Sequence, residues 1–144
     1  MMETIFNKMP NFSNSSKSKL ATCHKDLQTL FNYVIESFDC TIICGHRGEA
    51  EQNEAYHKGY STVKYPNSKH NSSPSNAVDA VPYPIEWENT ARMKFFVGYV
   101  LGVARVLKNN GIIESEIISG LDWDGDTFLK DHTFQDHPHF QIKQ

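Results

Sequence analysis

Residues Ser68–Pro84 read SKHNSSPSNAVDAVPYP. A loop rich in Ser, Asn and Pro gives way here to a short apolar run, Ala77-Val-Asp-Ala-Val81, and one carboxylate interrupts that run. The run predicts a strand. Apolar neighbours on both sides of Asp79 predict burial, and a buried carboxylate is costly unless it is paired or bound to a metal. Two readings follow. Asp79 is a structural acid bonded to the loop amides of residues 72–76, or it is a ligand acting with His70 across the loop.

Working outward, Leu20, Cys23, Leu27, Leu30, Phe31, Val34, Ile35 and Phe38 recur every three or four residues, which predicts one helix with a buried stripe over 20–38. Cys40-Thr-Ile-Ile-Cys44, β-branched and closed by Gly45, predicts a buried strand that delivers His46 and Arg47 at its end. A helix over Glu49 to Lys58 stops at Gly59. Residues 60–76 form a long polar loop, of the kind that is usually functional or disordered in compact domains. Residues 87–108 predict an apolar helix, stopped by Asn109-Asn110-Gly111, in which Gly98 and Gly102 allow close approach to a sheet. Short strands are expected around Ile117 and Phe140, joined by an acidic loop. Without a regular βαβ alternation, the fold class is α+β: a small, mostly antiparallel sheet packed with helices. Residues 1–17 are expected to be a flexible lead-in and 18–144 a single domain.

Hydrophobic residues make up 39% and charged residues 22%, the balance of an ordinary globular protein. A net charge of -3 with scattered Lys and Arg argues against nucleic acid as a partner. The apolar helix is shorter than the roughly 20 apolar residues of a span and contains Arg105, so no membrane partner is expected. Residues 1–20 lack the apolar segment of a secretory leader, so synthesis is expected to end in the cytoplasm. The three cysteines, Cys23, Cys40 and Cys44, are read as free thiols, Cys40 and Cys44 as small core residues. A monomer is expected.

A catalytic zinc site needs three protein donors and one open position. The donors available are His70, Asp79 and the cluster Asp136-His137-Pro138-His139. His24, His57 and His132 are read as solvent-exposed. Asp122, Asp124 and Asp126 in LDWDGDT offer oxygen for Ca2+, but Thr127 and Thr133 stand where an EF-hand loop needs Gly and Glu. A looser Ca2+ site is the alternative to a solvated acidic turn with Trp123 packed toward the cleft.

SKHNSSPSNAVD, DWDGD and DHPHFQI, with SKLATCHKDLQTLF and GHRGEAEQNEAYHKGYS upstream, together resemble the D-Ala-D-Ala metallopeptidase and hedgehog-like superfamily. The resemblance is nearest to the phage-type L-alanyl-D-glutamate endopeptidases and spans Ser18 to Ile142. It implies Zn2+ held by His70, Asp79 and His139, with Asp136 as the proton-transferring carboxylate and Arg47 steadying substrate carbonyl or carboxylate groups. His137 forms a His-x-His pair with His139 and competes with Asp136 as proton carrier. Where relatives often carry Glu after His-Phe, this chain has Gln141, a neutral amide that would orient the ligand differently. The implied function is hydrolysis of the L-Ala–D-Glu bond in peptidoglycan stem peptides by a phage endolysin, which reaches the wall once the membrane is opened. The alternatives are a D-Ala-D-Ala carboxypeptidase and a non-catalytic zinc-containing binding module.

Overall fold

The computed structural model describes residues 10–128 and 136–144. Among them run α1 (Asn14–Leu20), α2 (Lys25–Val34), β1 (Cys40–Cys44), α3 (Glu49–His57), a 3-10 turn (Lys69–Asn71), β2 (Ala77–Pro82), α4 (Thr90–Asn109), β3 (Ile117–Gly120) and β4 (Asp136–Ile142). The four strands form one antiparallel sheet in the order β1-β2-β4-β3. The fold is therefore the α+β architecture that the residue pattern predicts. No helix among the described residues is long and apolar enough to cross a membrane.

One face of the sheet carries the core. Cys40 and Ile42 of β1, Val78 and Ala80 of β2, and Phe140 and Ile142 of β4 meet Leu27, Leu30, Phe31 and Val34 of α2 and Phe96, Val97 and Val100 of α4. Phe140 is the hinge of this packing, with Phe31 edge-on at 5.5 Å and Phe96 at 6.3 Å between ring centroids. Burying side chains of this size contributes roughly 1.5–3 kcal/mol each. The opposite face of the sheet carries polar groups.

Two differences from the sequence reading bear on that polar face. The helix predicted over 20–38 is shorter, Lys25–Val34, and Leu20 closes a separate helix before it, because the intervening backbone bonds elsewhere: Ser75 N–H donates to Thr22 O at 2.9 Å and His24 N–H to Ser75 O at 2.8 Å. His24, read as merely exposed, caps α2 by accepting the Asp26 amide on Nδ1 at 3.0 Å. These bonds tie the α1–α2 junction to the residue that opens β2. The lead-in expected over 1–17 also does not end where drawn. Ser13 caps α1 by accepting the Ser16 amide, and Phe12 and Ser16 are buried. His132 lies outside the described residues.

Gly98 and Gly102 do not face the sheet. Both are exposed, and a Cβ on either would meet nothing within 4 Å. The helix side that packs is lined by Met93, Phe96, Val97, Val100, Ala104 and Leu107 instead.

Candidate metal centre and cleft

The Ser68–Pro84 stretch reaches the polar face in two moves. Ser68 caps the 3-10 turn by accepting the His70 amide, and the Asn71 side chain returns to the Ser68 amide. The turn drives the His70 ring inward until its residue is 3% exposed. β2 then presents Asp79 on the side opposite Val78 and Ala80, as strand alternation requires. Antiparallel pairing sets His139 directly across from Asp79.

These three side chains converge. Asp79 Oδ1 lies 3.2 Å from His70 Nε2 and 3.3 Å from His139 Nδ1. The far nitrogen of each ring is already engaged. His70 Nδ1 donates to Gly45 O at 2.8 Å, and His139 Nε2 donates to the Gln141 amide oxygen at 2.8 Å. Each neutral ring therefore turns a lone pair toward a carboxylate oxygen, and three such acceptors repel unless a proton or a cation sits among them. Burial lowers the His70 pKa, but hydrogen bonds to Asp79 and Cys44 outweigh it and raise the value to about 10. Burial raises that of Asp79, yet its bonds to His139 and His70 hold it well below the usual carboxylate range. Two imidazoles on either side of one carboxylate oxygen, oriented by their other hydrogen bonds and open to a cleft, make a candidate donor set for a metal ion.

Asp79 does not bond to the loop amides, the alternative raised from sequence. The Asn76 amide instead donates to Lys69 O and Ser72 Oγ. Asp79 Oδ2 faces Arg47 Nη2 at 3.6 Å.

Arg47 is held from behind by Gln52, a residue that sequence reading assigned no role. Gln52 is fully buried on a helix whose other residues are all at least partly exposed. Its Oε1 accepts from Arg47 Nη1 and Asn71 Nδ2, both at 3.1 Å, and its Nε2 donates to Ser61 Oγ and Val63 O, both at 2.8 Å. One amide thus joins the arginine, the His70 turn and the cleft rim. Only the burial of a single polar residue on α3 marks it, and a polar helix gives no periodic signal for that.

Asp136 lines the cleft, and His137 does not. Strict alternation from His139 would turn His137 toward the cleft and Asp136 toward the core. A register shift between Ser119 and Gly120, opposite Asp136, reverses them. Burial raises the Asp136 pKa, and the nearby charge of Asp79 adds to the rise. Burial lowers that of His137, and the charge of Lys94 on α4 lowers it further. His137 Nε2 has no hydrogen-bond partner among the described residues. The geometry therefore groups Asp136, and not His137, with His70, Asp79, His139 and Arg47.

Cys44, expected in the core, also lines the cleft. A second register shift, between Ile42 and Cys44, pairs Cys44 with Asp79 and turns its side chain out of the core to which Cys40 and Ile42 point. Trp123 lies over the His139 ring at 5.2 Å between centroids, on the cleft side expected for it. The cleft encloses about 860 Å³, and Tyr60 and Trp87 stand at its rim. His46 is exposed and bonds to Ser72 O.

The carboxylates of the acidic turn serve their own backbone. Asp122 Oδ2 accepts the Thr127 amide at 2.7 Å, Asp124 Oδ1 that of Asp126 at 3.2 Å, and Asp126 Oδ1 that of Phe128 at 2.8 Å. Ligand atoms of all three lie within 4.8 Å of one another.

Fold and site together define a small α+β domain with a candidate metal centre on the floor of a substrate-sized cleft. The family model for phage L-alanyl-D-glutamate peptidase matches residues 9–143, and the chain belongs to that family. Among solved structures, the crystal structure of the Serratia marcescens L-Ala D-Glu endopeptidase ChiX is similar at 22% identity and a TM-score of 0.68, over 95% of this chain and 92% of that one. At that identity the likeness speaks for the fold. No curated protein sequence matches the chain.

Proposed function

We propose that this chain is a Zn2+-dependent peptidase that hydrolyses the L-Ala–D-Glu bond in the stem peptide of bacterial peptidoglycan, in the role of a phage endolysin. The observation that carries the reading is the convergence of His70 Nε2 and His139 Nδ1 on one oxygen of Asp79, in a chain whose family match spans 9–143. His70, Asp79 and His139 would hold the ion. When bound, the ion supplies Lewis-acid polarisation of the scissile carbonyl and lowers the pKa of water toward about 7.

The chain's own residues supply the rest. Asp136 is the proton carrier: its raised pKa suits a carboxylate that takes a proton from the attacking water and returns it to the leaving amine. Arg47, held by Gln52 with its guanidinium in the cleft, neutralises charge on the substrate carbonyl or on a stem-peptide carboxylate. Trp123 and Asp79 hold the His139 ring in place, and Gln141 fixes its tautomer.

Digestion of purified peptidoglycan, read by mass spectrometry of the released muropeptides, tests this reading. The expected products carry a new D-Glu amino terminus, and their formation stops on chelation and returns with Zn2+. Release of free D-alanine would replace the reading with a carboxypeptidase. Intact stem peptides from a folded, Zn2+-loaded protein would leave a binding module.

A further inference from the structure

We propose that the sulfur of Cys44 is a protein ligand of the metal ion in this cleft, together with His70 and Asp79. The inference rests on the metal reading above and adds a donor to it.

Three observations carry it. Ligand atoms of Cys44, His70 and Asp79 all lie within 4.8 Å of one another. A tetrahedral ion bound through S at about 2.3 Å and N or O at about 2.0–2.2 Å brings its donors that near. The sulfur is aimed at this point by the register shift after Ile42, since an unbroken strand would bury it beside Ile42 in the core. The side chain also meets the Arg47 guanidinium, whose Nη2 donates to Sγ at 3.6 Å.

The other two thiols differ. Burial pushes Cys23 and Cys40 up to about 12, so both keep their protons, and neither lines the cleft. Coordination by Cys44 forms one sulfur–metal bond and releases the thiol proton to solvent, with no change of oxidation state. A soft sulfur biases the site toward Zn2+, Co2+ and Cd2+ and away from Mg2+ and Ca2+.

Cobalt(II) alone is the probe. The purified full chain, stripped of metal and titrated with Co2+, is expected to bind one ion and to show the near-ultraviolet sulfur-to-cobalt charge-transfer band. Cys44→Ser and Cys44→Ala, each checked for folding by circular dichroism, are expected to bind Co2+ and lose the band. One bound Co2+ without the band in the unaltered chain would overturn the role of Cys44 while leaving the three-residue site standing. A band that survives in both variants would overturn it too. Failure of the unaltered chain to bind Co2+ would sink the metal reading and this inference with it. Should both variants fail to fold, Cd2+ added to the unaltered chain decides: a sulfur-to-cadmium band supports the ligand, and its absence with Cd2+ bound refutes it.

Discussion

The Arg47 guanidinium donates to the Gln52 amide oxygen at 3.1 Å, and that amide has no bonding capacity to spare. Its oxygen serves two donors and its nitrogen two acceptors. Gln52→Ala removes one bond each from Arg47, Asn71, Ser61 and the Val63 carbonyl at once. Losing buried hydrogen bonds of this kind costs about 1–3 kcal/mol, so the unfolding free energy from urea melts should fall by an amount of that order and the midpoint with it. Turnover of peptidoglycan should fall further than the unfolded fraction explains, because the arginine loses its brace. An unchanged midpoint would show that water replaces the amide.

Asp136 and His137 are adjacent in sequence and opposite in facing. Asp136→Asn should lower turnover by roughly 10²- to 10⁴-fold while metal content stays at the unaltered level. His137→Ala should change turnover less than about tenfold, since its ring is on the side of Lys94 and away from the cleft. The reverse ranking would move the proton to the histidine.

Two glycine substitutions should have opposite signs. A Cβ at Gly45 would stand 2.3 Å from Lys19 O and 2.3 Å from Thr22 Oγ1, and the Gly45 carbonyl is what orients His70. Gly45→Ala is expected to destabilise by about 1–3 kcal/mol and to weaken metal affinity. Gly98→Ala, on the open side of α4, should stabilise by about 0.5–1 kcal/mol. Thermal melts of the pair check both signs.

Asp26 sets an acid limit far from the cleft. Burial raises its pKa, but the Ser115 hydroxyl at 2.6 Å and the amides of Ser115 and Glu114 outweigh burial and leave it below 3.8. A folded-state value below the unfolded one means that the contribution is complete above about 3.8 and is lost as pH falls through the lower folded value. Asp26→Asn should therefore be less stable than the unaltered chain at neutral pH, with the gap closing in acid. Denaturant melts across the acid range check this, and a constant gap would assign the effect to packing.

Much of the fold was legible because strand alternation and helical periodicity hold over most of the chain. β1, β2, α3 and α4 lie within a few residues of where these patterns place them. Reading failed where a local bond outweighed a pattern. Apolar spacing ran through residues 20–38, yet Ser75 takes the backbone of Thr22 and His24, and the helix starts only at Lys25. Alternation sent Cys44 inward, and the register shift turns it out. Gly98 and Gly102 suggested close packing, but glycine spacing alone does not say which side of a helix faces the sheet. His70, Asp79 and His139 were visible as candidates because a carboxylate in an apolar run asks for a partner. Gln52 gave no such signal, since its burial depends on how the loop after its helix folds back over it.

Both edges of the cleft floor lie where a strand drops out of phase, after Ile42 on one side and at Gly120 on the other. The inventory of groups facing substrate is thus set by reading frame as much as by residue identity. Point changes there would alter one donor, whereas losing or gaining a single residue in β1 or β4 would exchange which neighbours look outward while the hydrophobic packing beneath could persist. Chains of this design should tolerate substitution along these strands far better than any change in their length.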